Sequence, residues 1–368
     1  MSEPHESVRR LSRTDPVVIG VGARTSIGLD MPATSAAVRG AVTCFAQSEY
    51  LRLRETGQPI TLALLSTLPE DSFAYNRMKL LGSAAAGEAL DPWLGRLAPR
   101  AATGRLAVLV SVPPPRPGFP EGSQAKLARE MIESLPTAVA RERCSFVDTG
   151  HEGGLALLGI AGELLATQQV DVCLVGGVES YKHIDTLHWL EAQGRLKTAD
   201  QPNGIVPGEG AGFLLLSTRG FAHENGARPL AELRAASRAI EPKPWHLGEP
   251  TLGEGLTAAV RGALDPRGTG GYTASMTYAD LNGETWRVDE WGYAYMRTAR
   301  HHQGPLDIRH PADCWGDLGA ASGALLAALC SYELARARNS KPTALVWTAS
   351  DTRPLRAACL FRSHQELT

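Results

Sequence analysis

Apolar positions along this chain come in two forms. Short uninterrupted runs suit strands buried on both faces, and longer stretches of Ala, Gly and Leu suit helices packed between layers. The first run, residues 17–20 in PVVIGVGARTSIG, predicts a strand ending in a glycine-punctuated turn. A helix follows from Asp30, which can act as N-cap with Pro32 in the first turn. RLAVLVSV at 105–112 predicts a second strand, followed by a proline-rich loop and a polar helix near 124–133. CSFV at 144–147 predicts a third strand, and GGLALLGIAGELLATQ a helix apolar almost all round. DVCLVGG at 171–177 is a strand of parallel-sheet type, a helix is expected near 186–193, and GIVPGEGAGFLLLS closes the first half.

Asn225 and Gly226 mark a junction after which the sequence of elements begins again. A strand is expected at 230–240, a helix at 256–264, a strand at 275–281 and a helix from about Val288. DLGAASGALLAALCSYELARA then predicts a second helix too apolar to face water, and ALVWTA and AACLF an antiparallel pair around a polar turn at 351–354. Two α/β halves (16–218 and 228–365), each with one such helix, imply a five-layer αβαβα arrangement with those helices between two sheets. Residues 1–15 read as a flexible polar tail.

Composition narrows the function. At 368 residues and 43% hydrophobic the chain can bury a large core. With 37 Lys plus Arg against 39 Asp plus Glu, the net charge of -2 favours neither nucleic acid nor an anionic membrane. No run reaches the roughly 18 apolar residues of a membrane span, and no signal-like segment opens the chain, so a cytoplasmic location is expected. The six cysteines lack CxxC spacing, which supports neither a zinc site nor a disulfide framework, and no cofactor is expected. Gly20 and Gly22 suggest a dinucleotide loop, but Thr25 and Gly28 break the GxGxxG spacing.

Four segments, VVIGVGARTSIG, VDTGHEGGLALLGIA, DVCLVGGVES and GIVPGEGAGFLLLS, resemble landmarks of the beta-ketoacyl synthases of the thiolase superfamily, in that family's order. YADLNGET stands where the family carries its first catalytic histidine, and GDLGAASG where it carries the second. The resemblance implies the thiolase-like fold and places His151 at the nucleophilic cysteine, Asn282 at the first histidine and Asp317 at the second. Ala312 stands at the usual lysine, and Asp351, Thr352, Arg353 and Pro354 replace a GFGG gating loop. Glu209, in PGEGAG, keeps a supporting glutamate. The resemblance also implies a dimer, a homodimer by default, formed through residues 145–148. A heterodimer with an active synthase is the other pairing, and an acyl carrier protein or coenzyme A thioester is the partner molecule implied.

Condensation needs a thiolate that can hold an acyl group, and decarboxylation needs donors for a developing enolate. An imidazole cannot hold a stable thioester, and a carboxylate at Asp317 repels the enolate. Three readings follow. The chain is a non-condensing pseudoenzyme acting as a partner subunit, like a chain-length factor, or as an adaptor. Alternatively, His151 and Asp317, with Glu152 and Asn282 in the same polar cluster, form a base-and-orienter pair for acyl transfer or hydrolysis. Or the chain binds acyl groups or coenzyme A through an open tunnel. Cys314 could lie near the pocket, although buried packing is its commoner role. Trp286, Trp315 and Arg353 are expected near the mouth.

Overall fold

The apolar run at the start of the chain becomes strand β1 (Pro16–Thr25), whose Val17 and Val18 are fully buried. The computed structural model describes residues 13–97, 105–135, 143–265, 271–337 and 342–364. Most of the expected tail, residues 1–12, lies outside these. Residues 13–15 are not loose, because Gly220 N donates to Arg13 O at 2.7 Å and Arg219 N to Asp15 O at 2.9 Å.

Strands β2 (Ala46–Arg52) and β3 (Pro59–Leu62) form a separate hairpin. The first half continues with β4 (Leu106–Ser111), β5 (Cys144–Val147), β6 (Val172–Ser180) and β7 (Glu209–Thr218). The second half supplies β8 (Ala231–Ile240), β9 (Met276–Ala279), β10 (Ile308–Arg309), β11 (Thr343–Ala349) and β12 (Leu355–Ser363).

The repeat inferred from the sequence is plain in the pairing. In the first half the main-sheet order is β5-β4-β6-β7-β1, and in the second it is β10-β9-β11-β12-β8. Within each half this runs third, second, fourth, fifth, first. Orientations repeat as well: β4 is parallel to β5 and β6, as β9 is to β10 and β11, and the remaining neighbours are antiparallel. The halves join where β1 meets β8 through Val17 opposite Glu232 and Val18 opposite Ala231, which merges them into one 10-stranded sheet folded on itself.

Three apolar clusters define five layers. One packs the Ala74–Leu90 and Ser123–Ser134 helices on the outside of the first half-sheet. Another packs the Glu254–Leu264 and Thr285–Thr298 helices outside the second. Between the sheets lie Leu155, Leu158, Leu325 and Leu329 from the Gly153–Ala166 and Ser322–Leu334 helices, with Val175, Leu214, Val346 and Cys359 from the strands. The Ala74–Leu90 helix is the main element that the hydrophobic pattern does not single out, since its Gly-, Ser- and Ala-rich sequence has little polar contrast.

Of the two inner helices, Ser322–Leu334 is almost wholly buried, whereas Gly153–Ala166 leaves Ile160 44% exposed. The expectation of a helix buried all round is therefore corrected for the first of them in the single chain. The two helices meet at Gly154, where a Cβ would lie 2.3 Å from the backbone nitrogen of Ala324. Neither backbone can yield without moving its sheet. Gly154→Val is expected to lower the thermal midpoint by well over 5 °C or to leave the protein insoluble, read by calorimetry beside the wild type.

Candidate functional site

The centre of the molecule is built where loops from both halves converge on the start of the first inner helix. After β5, Gly150 adopts φ 84°, a left-handed conformation that turns the chain sharply into the helix. Gly153 N donates to Gly150 O at 3.0 Å and holds His151, wholly buried, in that turn. Asn282 follows β9, and Asp351 sits in the turn between β11 and β12. Asp317 comes from the loop leading to the second inner helix. Its backbone is clamped to the first half, with Asp317 N donating to Val206 O at 2.7 Å and Gly208 N to Asp317 O at 2.9 Å.

The three positions singled out from the sequence do come together. His151 Nε2 lies 2.9 Å from Asp317 Oδ2 and 3.1 Å from Oδ1, and Asn282 Nδ2 donates to Asp317 Oδ2 at 2.5 Å. Tyr181 Oη and Gly319 N donate to Oδ1 at 3.0 and 2.9 Å. His151 Nδ1 faces Asp351 Oδ1 at 3.4 Å, an ion-pair distance without hydrogen-bond alignment. Asp351 is held from its other side by Arg195 Nη1 at 2.7 Å. Arg195 also donates to Glu284, and Arg287 donates to Glu284 and Asp280.

Four carboxylates, Asp280, Glu284, Asp317 and Asp351, thus surround the guanidiniums of Arg195 and Arg287 and one imidazole. A neutral imidazole would leave two negative charges uncompensated, and an imidazolium leaves one. Electrostatics therefore decides the protonation of His151. Burial by itself lowers its pKa, but Asp317, Asp280 and Asp351 more than reverse this against the opposing Arg287, and the pKa rises to about 10. Burial pushes the Asp317 and Asp351 carboxyls up, and their cationic neighbours overcome it, so both lie below the usual carboxylate range. Burial, followed by the charge of Asp317, holds the Tyr181 phenol well above its ordinary value. At neutral pH the centre is an imidazolium with ionised carboxylates on both sides.

Little space remains. One cleft, against His151, is lined among others by Arg116, Glu179, Tyr181, Trp189 and Asp351, and a second, behind Asp317, by Asn282, Trp315 and Leu326. Each has about 250 Å³ of empty space, part of it open solvent. Because part of that space is open solvent, neither cleft encloses a cavity on the scale of ordinary ligand sites, roughly 300–1,000 Å³.

The other expected site residues serve the surroundings. Glu152 is buried but turns away, pairing with Arg238 at 3.0 Å. Glu209 forms a buried pair with Arg77 and accepts from Leu65 N and Ser180 Oγ, which ties β7 to the outer layer. The Cys314 side chain is buried, 6% exposed, and packs beside the loop rather than within the charged cluster. Trp315 is only 3% exposed and lines the inner cleft, so it belongs to the core and not to an opening. Trp286 stacks on Trp245 at 6.0 Å with Arg287 over its ring, away from both clefts. Of the three expected mouth residues, Arg353 alone keeps a half-exposed side chain near the entrance, reaching Asp148 at 3.3 Å. Asp280, Tyr181, Arg195 and Arg287 were not singled out from the sequence. Asp280 lies two residues before Asn282, whereas the arginines carry no local motif.

A profile of the family described as beta-ketoacyl synthase, N-terminal domain, matches residues 144–222. A putative polyketide beta-ketoacyl synthase 1 of Streptomyces virginiae is 31% identical over 130 residues, covering 32% of this chain and 30% of the relative. The pikromycin polyketide synthase component PikAIII of Streptomyces venezuelae is 35% identical over 98 residues, covering 25% of this chain and 6% of the relative. The chain thus spans less than a third of each. Among solved structures, the ishigamide ketosynthase/chain length factor superposes with a TM-score of 0.74 at 18% identity, covering 96% of this chain and 100% of that one. A complex described as a type II PKS acyl-carrier protein with its ketosynthase bound to the hexaketide gives 0.76 at 16% identity, covering 95% and 99%. A ketosynthase from module 6 of the bacillaene synthase of Bacillus subtilis 168 gives 0.76 at 14% identity, covering 96% and 72%. With its repeated strand order and inner helices, the chain has the fold of these ketosynthase structures, and its residues 144–222 match the beta-ketoacyl synthase N-terminal domain.

Proposed function

We propose that this chain is a non-condensing ketosynthase-like subunit that acts by association, pairing with an active synthase as a chain-length factor does or serving as an adaptor. The observation that carries this reading is His151, buried at the nucleophile position and flanked by the carboxylates of Asp317 and Asp351. It has no thiol to acylate, and the family's enolate-stabilising positions hold an amide and an ionised carboxylate. The hydrolase reading suffers from the same geometry: a group protonated up to about pH 10 is no general base at neutral pH. The ligand-module reading needs a tunnel wider than either cleft.

The test uses purified protein with acyl-coenzyme A and acyl carrier protein thioesters, followed by intact mass and thiol release. No adduct on the protein and no release above buffer are expected for the wild type and for His151→Ala. Turnover that disappears in His151→Ala would overturn the proposal. His151→Cys alone is expected to stay unacylated, because its thiol would sit beside two carboxylates that raise its pKa.

Association has its own support. Strand β5 ends the sheet order with Phe146 37% exposed, and the inner helix leaves Ile160 44% exposed. A sheet edge carrying an exposed aromatic side chain suits a second subunit. Sedimentation should give twice the 39.3 kDa chain mass, or a one-to-one complex when a cysteine-containing synthase is added. A monomer under both conditions would remove the association reading.

A further inference from the structure

Of the six cysteines, Cys44 alone is exposed, in the segment between the Met31–Arg39 helix and β2. An exposed thiol is unusual for a residue that otherwise packs as a small hydrophobe. Its backbone nitrogen donates to the carbonyl oxygen of Cys314 at 3.4 Å. Bond lengths add about 1.5 Å from that nitrogen to its own Cα and about 2.4 Å from the oxygen to the other Cα. The two Cα atoms are therefore at most about 7.3 Å apart, so at that bound a small backbone shift brings them inside the roughly 7 Å reach of a disulfide. Residues 40–45 lie outside the strand pairing, which begins with Ala46 opposite Leu62, so the Cys44 side is the one that can adjust.

We propose that Cys44 and Cys314 form a reversible disulfide, a redox modification site that staples the exposed 41–45 segment to the loop carrying Asp317. Cys314 is three residues before Asp317, in the short Ala312–Trp315 helix, and the next two residues, Trp315 and Gly316, line the inner cleft. The oxidant is a small disulfide such as oxidised glutathione. The exposed Cys44 thiolate attacks one sulfur, forming a mixed disulfide and releasing one small thiol. The Cys314 thiol then loses its proton, attacks the Cys44 sulfur and displaces the second small thiol. Two protein thiols become one disulfide, one small disulfide becomes two thiols, and electrons balance. Burial pushes the Cys314 thiol up, so the second step is the slower and quickens with pH.

The experiment incubates the full chain with oxidised glutathione at pH 8, quenches with iodoacetamide, and maps peptides without reduction. The expected result is a loss of two hydrogens from the intact mass, a peptide joining Cys44 to Cys314, and a thermal midpoint that rises and falls back with reductant. Cys44→Ser, a change at an exposed position, should fold normally and form no internal bridge. Three results overturn the proposal: glutathione retained on Cys44 with Cys314 still alkylated, a Cys44 to Cys44 bond between two chains, or no modification at all.

Discussion

Asp317→Asn is expected to destabilise the protein by about 3–5 kcal/mol, the cost of removing one partner from a buried ion pair. The substitution changes little in size and much in bonding. The two oxygens of Asp317 accept from His151, Asn282, Tyr181 and Gly319 N. Asparagine offers one oxygen, and its amide turns two donors toward groups that are themselves donors, leaving buried N–H and O–H groups unpaired. His151 also loses its largest source of positive stabilisation. Urea unfolding checks this, with the midpoint falling and the slope unchanged. Tyr181→Phe is the milder companion, expected to cost about 1 kcal/mol because it deletes one donor and leaves the charge pair intact. A midpoint for Asp317→Asn within error of the wild type would mean that Asp317 is not the anchor of the cluster. The same variant keeps the layers and surface, so association with a synthase should survive at temperatures where it remains folded.

How much of this was legible before the structure depends on the scale of the signal. Most main-sheet strands are short buried runs and each inner helix is a small-residue apolar stretch, so local pattern alone placed most elements. The repeat was weaker, because two halves with the same strand order need share no residue at equivalent places. It is carried by the succession of element types. The convergence of His151, Asn282 and Asp317 was readable only through the resemblance, since they lie far apart in the chain and nothing in their neighbours says they meet. The rest of the charge network was not readable at all. Arg195 and Arg287 look like ordinary surface arginines until folding brings Asp351 and Glu284 against them. Trp315 failed in the opposite sense: a tryptophan beside a predicted site looked like a rim residue, and the packing of the loop under Leu318 and Leu326 put it in the core.

The carboxylates around His151 have an association counterpart. A condensing site must stay open to a carrier arm, and openness keeps polar groups hydrated and mobile. Here the same positions are filled by groups that bond one another, which seals the junction between the halves. Asp317 bridges to Val206 and Gly208 of the first half, and Arg195 of the first half reaches Asp351 and Glu284 of the second. These contacts hold the two repeats in register, and the proposed partner-subunit role would draw on that rigid framework.

That role makes stability fall with rising pH. The His151 pKa, about 10 in the folded protein against 6.5 for an unperturbed imidazole, is raised by folding. Its contribution is therefore complete below about pH 6.5 and is lost as pH climbs toward 10, because over that window the native state holds a proton that the unfolded chain has released. The slope reaches at most about 1.4 kcal/mol per pH unit. The buried thiols Cys173, Cys330 and Cys359, also raised by burial, add their own downward slope once unfolded thiols ionise, above about pH 8.5. Between pH 6.5 and 8.5 the imidazolium is thus the principal buried contributor, and stability should drop by about 2–3 kcal/mol. Asp317 and Asp351, depressed by their cationic neighbours, contribute above the ordinary carboxylate range and are lost as pH falls through their lowered values, so the acid limb is separate. Urea midpoints at half-unit intervals measure the drop, and His151→Gln should flatten it while lowering stability at pH 6.5. A wild-type curve already flat from pH 6.5 to 8.5 would show that His151 is neutral in the folded protein, and with that the carboxylate cage would lose its electrostatic basis and the general-base reading would return.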